Sequence, residues 1–171
     1  MSRFCKLLLL ISLMISIQAW SQTEEYFQQG TREFGLTNLG ISHSSTTGTS
    51  VSAGTRFQYY VINRLSLGGS AFYNNFNDHE WMGLGPVASY ILFAYQRWFS
   101  RLDQQVTFAK FNGFDKEDDP ATTYGTSTIS LNYFPQMTGF FIGAGYSHSY
   151  ALNDGEVFRP NIIQLNAGWM F

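Results

Sequence analysis

The stretch that decides the fold is Ile162-Ile163-Gln164-Leu165-Asn166-Ala167-Gly168-Trp169-Met170-Phe171, at the end of the chain. Every second residue counted back from Phe171 is apolar, whereas the intervening set is small or polar at three of its five positions. Because alternate side chains of a strand face opposite sides, this stretch predicts a strand with one oily face and one wetter face. A strand of about ten residues that ends on an aromatic is typical of a tilted strand crossing a bilayer.

The start of the chain has the organisation of a secretory signal. Arg3 and Lys6 precede an apolar run, Leu7–Ile17, and Ala19 and Ser21 fit the cleavage-site positions of a signal peptidase. The run is too short to span hydrocarbon as a helix, which needs about 20 residues. We therefore expect a cleaved signal peptide, with a buried helix or a retained anchor as the alternative.

Cysteine usage and charge exclude several classes of protein. The single cysteine, Cys5, precedes the predicted cleavage site, so it cannot anchor a lipoprotein, and the mature chain has no disulfide. Without Arg3 and Lys6 the chain keeps eight basic and twelve acidic residues, a net charge of −4 with His neutral. This balance argues against nucleic acid as a partner. Since no other apolar run could form a membrane helix, a membrane location requires a closed barrel.

Eight predicted strands, separated by turn signals, follow a polar and acidic lead-in. They are Arg32–Ser42, Val51–Ile62, Leu65–Tyr73, Leu84–Tyr95, Leu102–Phe111, Thr126–Phe134, Gly139–Tyr150 and Ile162–Phe171. The first changes phase between Leu36 and Leu39, which predicts a β-bulge near Thr37 and Asn38. The predicted organisation is a signal peptide (1–21), a periplasmic lead-in (22–30) and an all-β domain (31–171). That domain is an eight-stranded antiparallel up-and-down transmembrane β-barrel.

The connections and the aromatic residues support this barrel. The gaps after the second, fourth and sixth strands are short and the others longer, as expected for periplasmic turns and outer loops. Aromatic residues gather at both ends of the strands, in two predicted interfacial girdles that include Phe99 and Phe134 at the periplasmic level. A soluble lipocalin-type barrel is the structural rival, but it would bury an apolar interior beneath a polar exterior.

These features resemble small outer-membrane barrels of the OmpA/OmpX-like superfamily, whose members carry an outer membrane protein β-barrel domain. The resemblance rests on the signal peptide, the eight strands, the terminal Trp-Met-Phe and the hairpin Tyr59-Tyr60-Val61-Ile62-Asn63-Arg64-Leu65-Ser66-Leu67-Gly68-Gly69. It implies a multi-pass barrel in the outer membrane of a Gram-negative bacterium. It also implies the barrel-assembly machinery as a biogenesis partner, with Leu165, Trp169 and Phe171 as the assembly signal.

Strand phasing predicts which polar residues face the lumen. An eight-stranded barrel is just wide enough to be filled by its own side chains, and buried charges must be paired. The predicted lumen network is Arg56, Gln58, Arg101, Asp103 and Gln105, with Glu33 as a further candidate. A plugging network is the preferred interpretation, and a narrow gated pore is the alternative.

A hydrolase is the enzymatic alternative, because a Ser-His-acid arrangement activates a hydroxyl nucleophile. His148, Ser149 and Glu156 lie near the outer end of the seventh strand, as in barrels that deacylate lipid A. Those enzymes carry His-x-Ser, whereas Tyr150 stands two residues after His148, and the phasing turns His148 towards lipid. The motif His43-Ser44-Ser45 fits His-x-Ser but has no acid nearby in sequence.

Acidic residues concentrate in the predicted outer loops. Asp78, Glu80, Asp115 and Asp118 are weak candidates for a divalent cation, although their spacing matches no calcium loop and a solvated acidic surface is the simpler interpretation. No cofactor is predicted. We expect the protein to contact outer-membrane lipid and lipopolysaccharide and to act mainly through its outer loops, whose partner the sequence does not identify.

Overall fold

A computed structural model describes residues 22–44, 48–76, 79–112, 122–136, 138–153 and 161–171. A six-residue 3-10 helix, Gln22–Phe27, comes first and is called the lead-in helix below. The strands are β1 (Arg32–Ser44), β2 (Gly48–Ile62), β3 (Leu65–Phe76), β4 (His79–Tyr95), β5 (Trp98–Asn112), β6 (Thr122–Tyr133), β7 (Phe140–Ala151) and β8 (Asn161–Met170). Neighbouring strands pair antiparallel and β1 also pairs with β8, so the sheet closes into a barrel. The predicted fold class is confirmed.

Strand β1 closes the barrel through an irregular register. Its pairing with β2 shifts between Thr37 and Gly40, and its pairing with β8 shifts between Leu36 and Leu39. The predicted β-bulge is thereby confirmed. It changes the phase of the strand, so that Phe34 before the bulge and Leu39 after it are both exposed on the outer surface of the barrel.

The side chains alternate strictly between lumen and exterior along most strands. Most of the fully buried polar and charged residues line the lumen, whereas large apolar side chains with more than a third of their surface exposed cover the outside. A surface of this kind favours lipid over water. The arrangement is the inverse of a soluble ligand-binding barrel.

Several strands are longer than the hydrophobic pattern predicts. The predicted loops Ser44–Ser50 and Asn74–Met82 are wrong, because β2 begins at Gly48 and β4 begins at His79. Backbone pairing continues past the bilayer, where side chains no longer need to alternate between lipid and lumen. Only the connections after β5 and β7, residues 113–121 and 152–160, remain long.

The end of the barrel opposite the two long connections is the periplasmic end, which also holds the lead-in helix. Two-residue turns join β2 to β3 and β4 to β5, and within them Arg64 has φ 67° and Gln96 has φ 52°. Left-handed backbone costs a non-glycine residue about 1 kcal/mol. The opposite end, with the two long connections, is the outer end. Among the described residues, no helix is long and apolar enough to cross a membrane.

Candidate functional site

The periplasmic end of the lumen is filled by rings. This aromatic plug consists of Phe27, Tyr60, Phe99, Phe134 and Phe141, all fully buried, and packs with Ile91, Ala94 and Met170. Ring centroids are separated by 5.0 Å for Phe27 and Phe99, 5.1 Å for Phe99 and Phe134, and 5.3 Å for Phe99 and Phe141. Such spacings are those of favourable aromatic pairs. The plug therefore occludes this end of the barrel.

Phe27 reaches the plug because the lead-in helix is tied to the strands. The amide of Arg64 donates to the carbonyl of Phe27 at 2.7 Å, and the amide of Gly30 donates to the carbonyl of Tyr60 at 2.9 Å. The guanidinium of Arg64 also forms an ion pair with Glu24. These contacts give the left-handed turn at Arg64 a structural reason.

The aromatic girdle needs one correction. Phe99 and Phe134, expected at the periplasmic interface, point into the lumen because each shares the phase of the lumen-facing residues beside it, Arg101 for Phe99 and Asn132 for Phe134. The ring pairs on the outer surface at this level join an exposed tryptophan to a half-buried ring: Trp98 with Tyr133 and Trp169 with Phe140, each at a centroid distance of 4.7 Å. The girdle is therefore built by fewer rings than expected.

A buried group of four charged side chains, the charge quartet, lies next to the plug. Oε1 of Glu33 contacts Nη2 of Arg56 at 2.8 Å and Nη1 of Arg101 at 2.7 Å. Asp103 completes the group through Oδ2 to Nη1 of Arg56 at 3.2 Å and Oδ1 to Nε of Arg101 at 2.9 Å. Two cations and two anions cancel, which is the condition for holding charges at this depth.

Plug and quartet form one continuous obstruction. The hydroxyl of Tyr60 donates to Oε2 of Glu33 at 3.4 Å, and the guanidinium of Arg101 lies 5.7 Å from the ring centre of Phe141. Gly35 makes room for the quartet, because a Cβ there would meet Nε of Arg56 at 2.8 Å. The lumen is filled across its width at this level.

Smaller polar side chains line the lumen nearer the outer end. Thr128 bonds to Ser147 at 2.7 Å and Thr126 bonds to Ser149 at 2.8 Å, each hydroxyl pair bridging β6 and β7. Nε2 of Gln105 donates to the hydroxyl of Thr107 at 2.7 Å. These contacts are local pairs rather than a network that crosses the barrel.

Each residue of the predicted lumen network can be located in the structure. Arg56, Arg101 and Asp103 belong to the quartet, and Glu33 joins them. Gln58 is fully buried and donates to the hydroxyl of Ser89 at 2.5 Å, and Gln105 is half-buried. Of the predicted assembly signal, Leu165, Trp169 and Phe171 are all exposed. The backbone of Phe171 exchanges two hydrogen bonds with Arg32, at 2.8 and 2.9 Å.

His148 and Ser149, two of the residues proposed for hydrolysis, are not brought together. His148 is exposed on the outer surface, where its Nδ1 lies 2.9 Å from Oδ1 of Asn161. Ser149, as the next residue in β7, faces the lumen and bonds to Thr126. Neighbours in a strand cannot pair their side chains in this way, so the Ser-His pair is not formed. Glu156 and the side chains of His43-Ser44-Ser45 lie outside the described residues.

Three of the four predicted cation ligands, Asp78, Asp115 and Asp118, lie outside the described residues. Glu80 is described, and its Oε1 accepts a hydrogen bond from the hydroxyl of Tyr73 at 2.9 Å. Within the described part of the chain, no three His, Cys, Asp or Glu side chains converge in a way that could hold a metal.

The plug itself is the feature that sequence reasoning missed. Phe27 stands in a polar segment that gives no periodic signal, whereas the phase that Phe99 shares with Arg101 and Phe134 shares with Asn132 was an available signal. A paired aromatic, Tyr26-Phe27, in an otherwise polar lead-in was the available hint. Tyr26 also contributes, because its ring stacks on Phe134 at 5.0 Å.

An apolar exterior around a closed, charged lumen defines a class of protein. The chain is a multi-pass β-barrel of the outer membrane. Its structure is similar to the N-terminal β-barrel domain of Pseudomonas aeruginosa OprF, with a TM-score of 0.64 and 14% identity over 84% of this chain and 98% of that one.

Two further solved structures share the fold. Neisserial surface protein A gives a TM-score of 0.57 at 15% identity, over 82% of this chain and 94% of that one. The Yersinia pestis outer membrane protein Ail, in a phospholipid nanodisc, gives 0.55 at 15% identity, over 84% and 100%. No protein-family model and no curated protein matches the chain. At these identities the likeness concerns the fold.

Proposed function

We propose that the protein is a small outer-membrane barrel of the OmpA/OmpX-like superfamily with a structural and surface-interaction role. The observation that carries this proposal is the obstruction of the lumen by the aromatic plug and the charge quartet. A barrel that is filled across its width has little room to pass or process a substrate inside. Its function then resides in the outer end and the outer loops.

The outer end offers polar side chains for contacts. The hydroxyl of Tyr146 and Nδ1 of His148 both meet Oδ1 of Asn161, at 2.7 and 2.9 Å. On the other side of the barrel, Tyr73 receives a hydrogen bond from Asn75 at 3.3 Å while donating to Glu80. Exposed tyrosines of this kind suit the headgroup zone of a membrane. They support contacts with outer-membrane lipid and lipopolysaccharide.

Two partners follow from the proposed superfamily. The barrel-assembly machinery would insert the chain, using the terminal strand with Leu165, Trp169 and Phe171. An outer partner would bind the connections at the outer end. The name of the Neisserial surface protein, which shares the fold, agrees with a role at the cell surface.

The two alternatives have weaker support. A lipid A hydrolase needs a nucleophile beside its base, and His148 and Ser149 face opposite sides of β7. Mass spectrometry of lipid A from cells with and without the protein tests it, and an altered acylation pattern would revive it. A narrow pore needs a continuous path, which the plug and the quartet interrupt.

Surface labelling tests the proposal, because the only native cysteine is in the predicted signal peptide. The variants Asp118→Cys, in one of the two long outer connections, and Gln96→Cys, in a periplasmic turn, are exposed to a membrane-impermeant maleimide on intact cells. We expect labelling of the first variant alone. Labelling of both after lysis confirms that both thiols are reactive. Labelling of Gln96→Cys alone on intact cells would mean that the barrel has the opposite orientation in the membrane. That result would contradict a role for these outer loops.

A further inference from the structure

The lipid-facing surface of β2, β3 and β4 contains a groove of about 450 Å³. Its floor is made of small or compact side chains, and taller ones from β1, β2, β4 and β5 flank it. The floor residues are Thr55, Gly69, Ala71 and Pro86, and the walls are Phe34, Phe57, Leu84 and Phe108.

Strand register creates this groove. Gly69 pairs with Phe57 on one side and Pro86 on the other, and Ala71 pairs with Thr55 and Leu84. A Cβ placed on Gly69 would have only the carbonyl oxygen of Gly85 nearby, at 3.8 Å. The space above Gly69 is therefore open, and a side chain at this position would fit there.

The groove belongs to the apolar exterior that faces the bilayer. Its wall side chains are strongly exposed, Phe57 to 51% and Leu84 to 64%. Gly69 and Ala71 lie near the middle of β3, at the depth of hydrocarbon. Because the groove is continuous with the lipid interface, a hydrocarbon chain that fills it gains dispersion contacts with the floor and both walls.

A cation near the groove indicates which lipid supplies that chain. Arg32 is exposed at the periplasmic end of β1, two residues before Phe34 and so about 7 Å from it along the strand. Among the described residues, no acidic side chain pairs with its guanidinium. Guanidinium groups bind phosphate through charge-assisted hydrogen bonds. A phospholipid of the periplasmic leaflet would carry a phosphate at this level and an acyl chain above it.

We propose that the groove is a binding site for one acyl chain of a phospholipid from the periplasmic leaflet, whose phosphate pairs with Arg32. The lipid is held on one face of the barrel, whereas lipids elsewhere on the surface exchange freely. The site depends on the outer surface alone, so it stands independently of the lumen and of the proposed surface role.

Photocrosslinking tests the site. The full chain is reconstituted in phosphatidylcholine vesicles that contain a trace of phosphatidylglycerol with a diazirine midway along one acyl chain. Adducts are mapped by peptide mass spectrometry. We expect several-fold more adducts on β2, β3 and β4 around the groove than on β7 around Ala144.

Variants connect the adducts to the groove. Gly69→Leu fills the floor and should reduce the adducts several-fold, and Ala71→Leu serves the same purpose if the first variant does not fold. Ala144→Leu adds the same bulk to the lipid-facing surface between Leu131 and Leu165 and should change nothing. Arg32→Gln should also reduce the adducts several-fold. Heat-modifiable migration on gels shows that each variant is folded.

Several outcomes would overturn the proposal. Adducts spread evenly around the barrel, or adducts unchanged in Gly69→Leu or Ala71→Leu, would remove the groove as a site. Adducts unchanged in Arg32→Gln would show that Arg32 does not bind the lipid phosphate. The reason for choosing a phospholipid of the periplasmic leaflet would then be lost. Enrichment seen only with a diazirine-labelled lipid A, or crosslinks that join the grooves of two copies, would assign the groove to another occupant.

Discussion

The periplasmic half and the outer half of the lumen are filled in different ways. At the periplasmic end, five buried rings and four buried charges meet across the full width of the barrel. Towards the outer end, small hydroxyl side chains pair with their neighbours on adjacent strands, and the described ring pair there is Phe72 with Tyr124, at 6.4 Å. The obstruction of the lumen is therefore concentrated where the lead-in helix enters.

Removing one member of the charge quartet should have the largest effect on stability. In Arg101→Met, the carboxylates of Glu33 and Asp103 lose one of the two cations that they share and stay buried. We expect the free energy of unfolding to fall by about 3–5 kcal/mol. Urea unfolding in vesicles, followed by heat-modifiable migration, measures it. A loss below about 1 kcal/mol would show that the quartet is hydrated rather than closed.

Truncating the ring of the lead-in helix comes next. Phe27→Ala removes the contacts with Tyr60, Phe99 and Phe134 and should cost about 3 kcal/mol. Phe93→Ala is the matched control on the lipid-facing surface, where acyl chains refill the space. Equal losses for the two variants would mean that the helix does not stabilise the barrel.

A substitution in the outer half of the lumen should lower the free energy of unfolding less. Thr128→Val keeps the shape of the side chain but deprives Ser147 of its hydroxyl partner, and we expect a loss of about 1 kcal/mol. The same unfolding assay applies. If this variant were as unstable as Arg101→Met, the contrast between the two halves would not hold.

The ion pair at the periplasmic turn should contribute least. Both partners are partly exposed, so Glu24→Gln should cost about 0.5 kcal/mol, and less in high salt. The hydrogen bond with Glu24 raises the pKa of Arg64, which lies in the turn outside the membrane. Because the pKa of Arg64 is higher in the folded than in the unfolded protein, protonated Arg64 stabilises the fold at every pH below the ordinary arginine pKa. That stability is lost only as the pH rises through the raised pKa, so alkaline titration up to pH about 10 should leave the contribution of Arg64 unchanged.

The prediction of the inward residues rests on the fixed period of two of a strand. That period is enough to assign Arg56, Gln58, Arg101 and Asp103 to the lumen. It does not say which of them meet, because Glu33 and Arg101 are 68 residues apart and are joined only by the tilt and register of the closed sheet. The strand ends were misjudged where pairing continues beyond the bilayer, at Gly48 and His79.

The position of Phe27 was beyond the period-two argument for another reason. Phe27 precedes the first strand, and a 3-10 helix of six residues has no amphipathic pattern that a sequence can display. Its position depends on backbone hydrogen bonds that join the lead-in segment to Tyr60 and Arg64, more than 25 residues away in the sequence. Phe134, by contrast, is in phase with the lumen-facing residues Ser130 and Asn132, so the period of two does place its ring in the lumen.

Conductance across a planar lipid bilayer tests the closed lumen most directly. The account predicts that the full chain, inserted and folded, gives no steady single-channel current at neutral pH. It also predicts that deletion of residues 22–28, which removes the Phe27 ring from the plug, leaves the conductance low while the charge quartet remains intact. Discrete, long-lived current steps from the unaltered protein would contradict the account, because they would require a continuous path past the aromatic plug and the charge quartet.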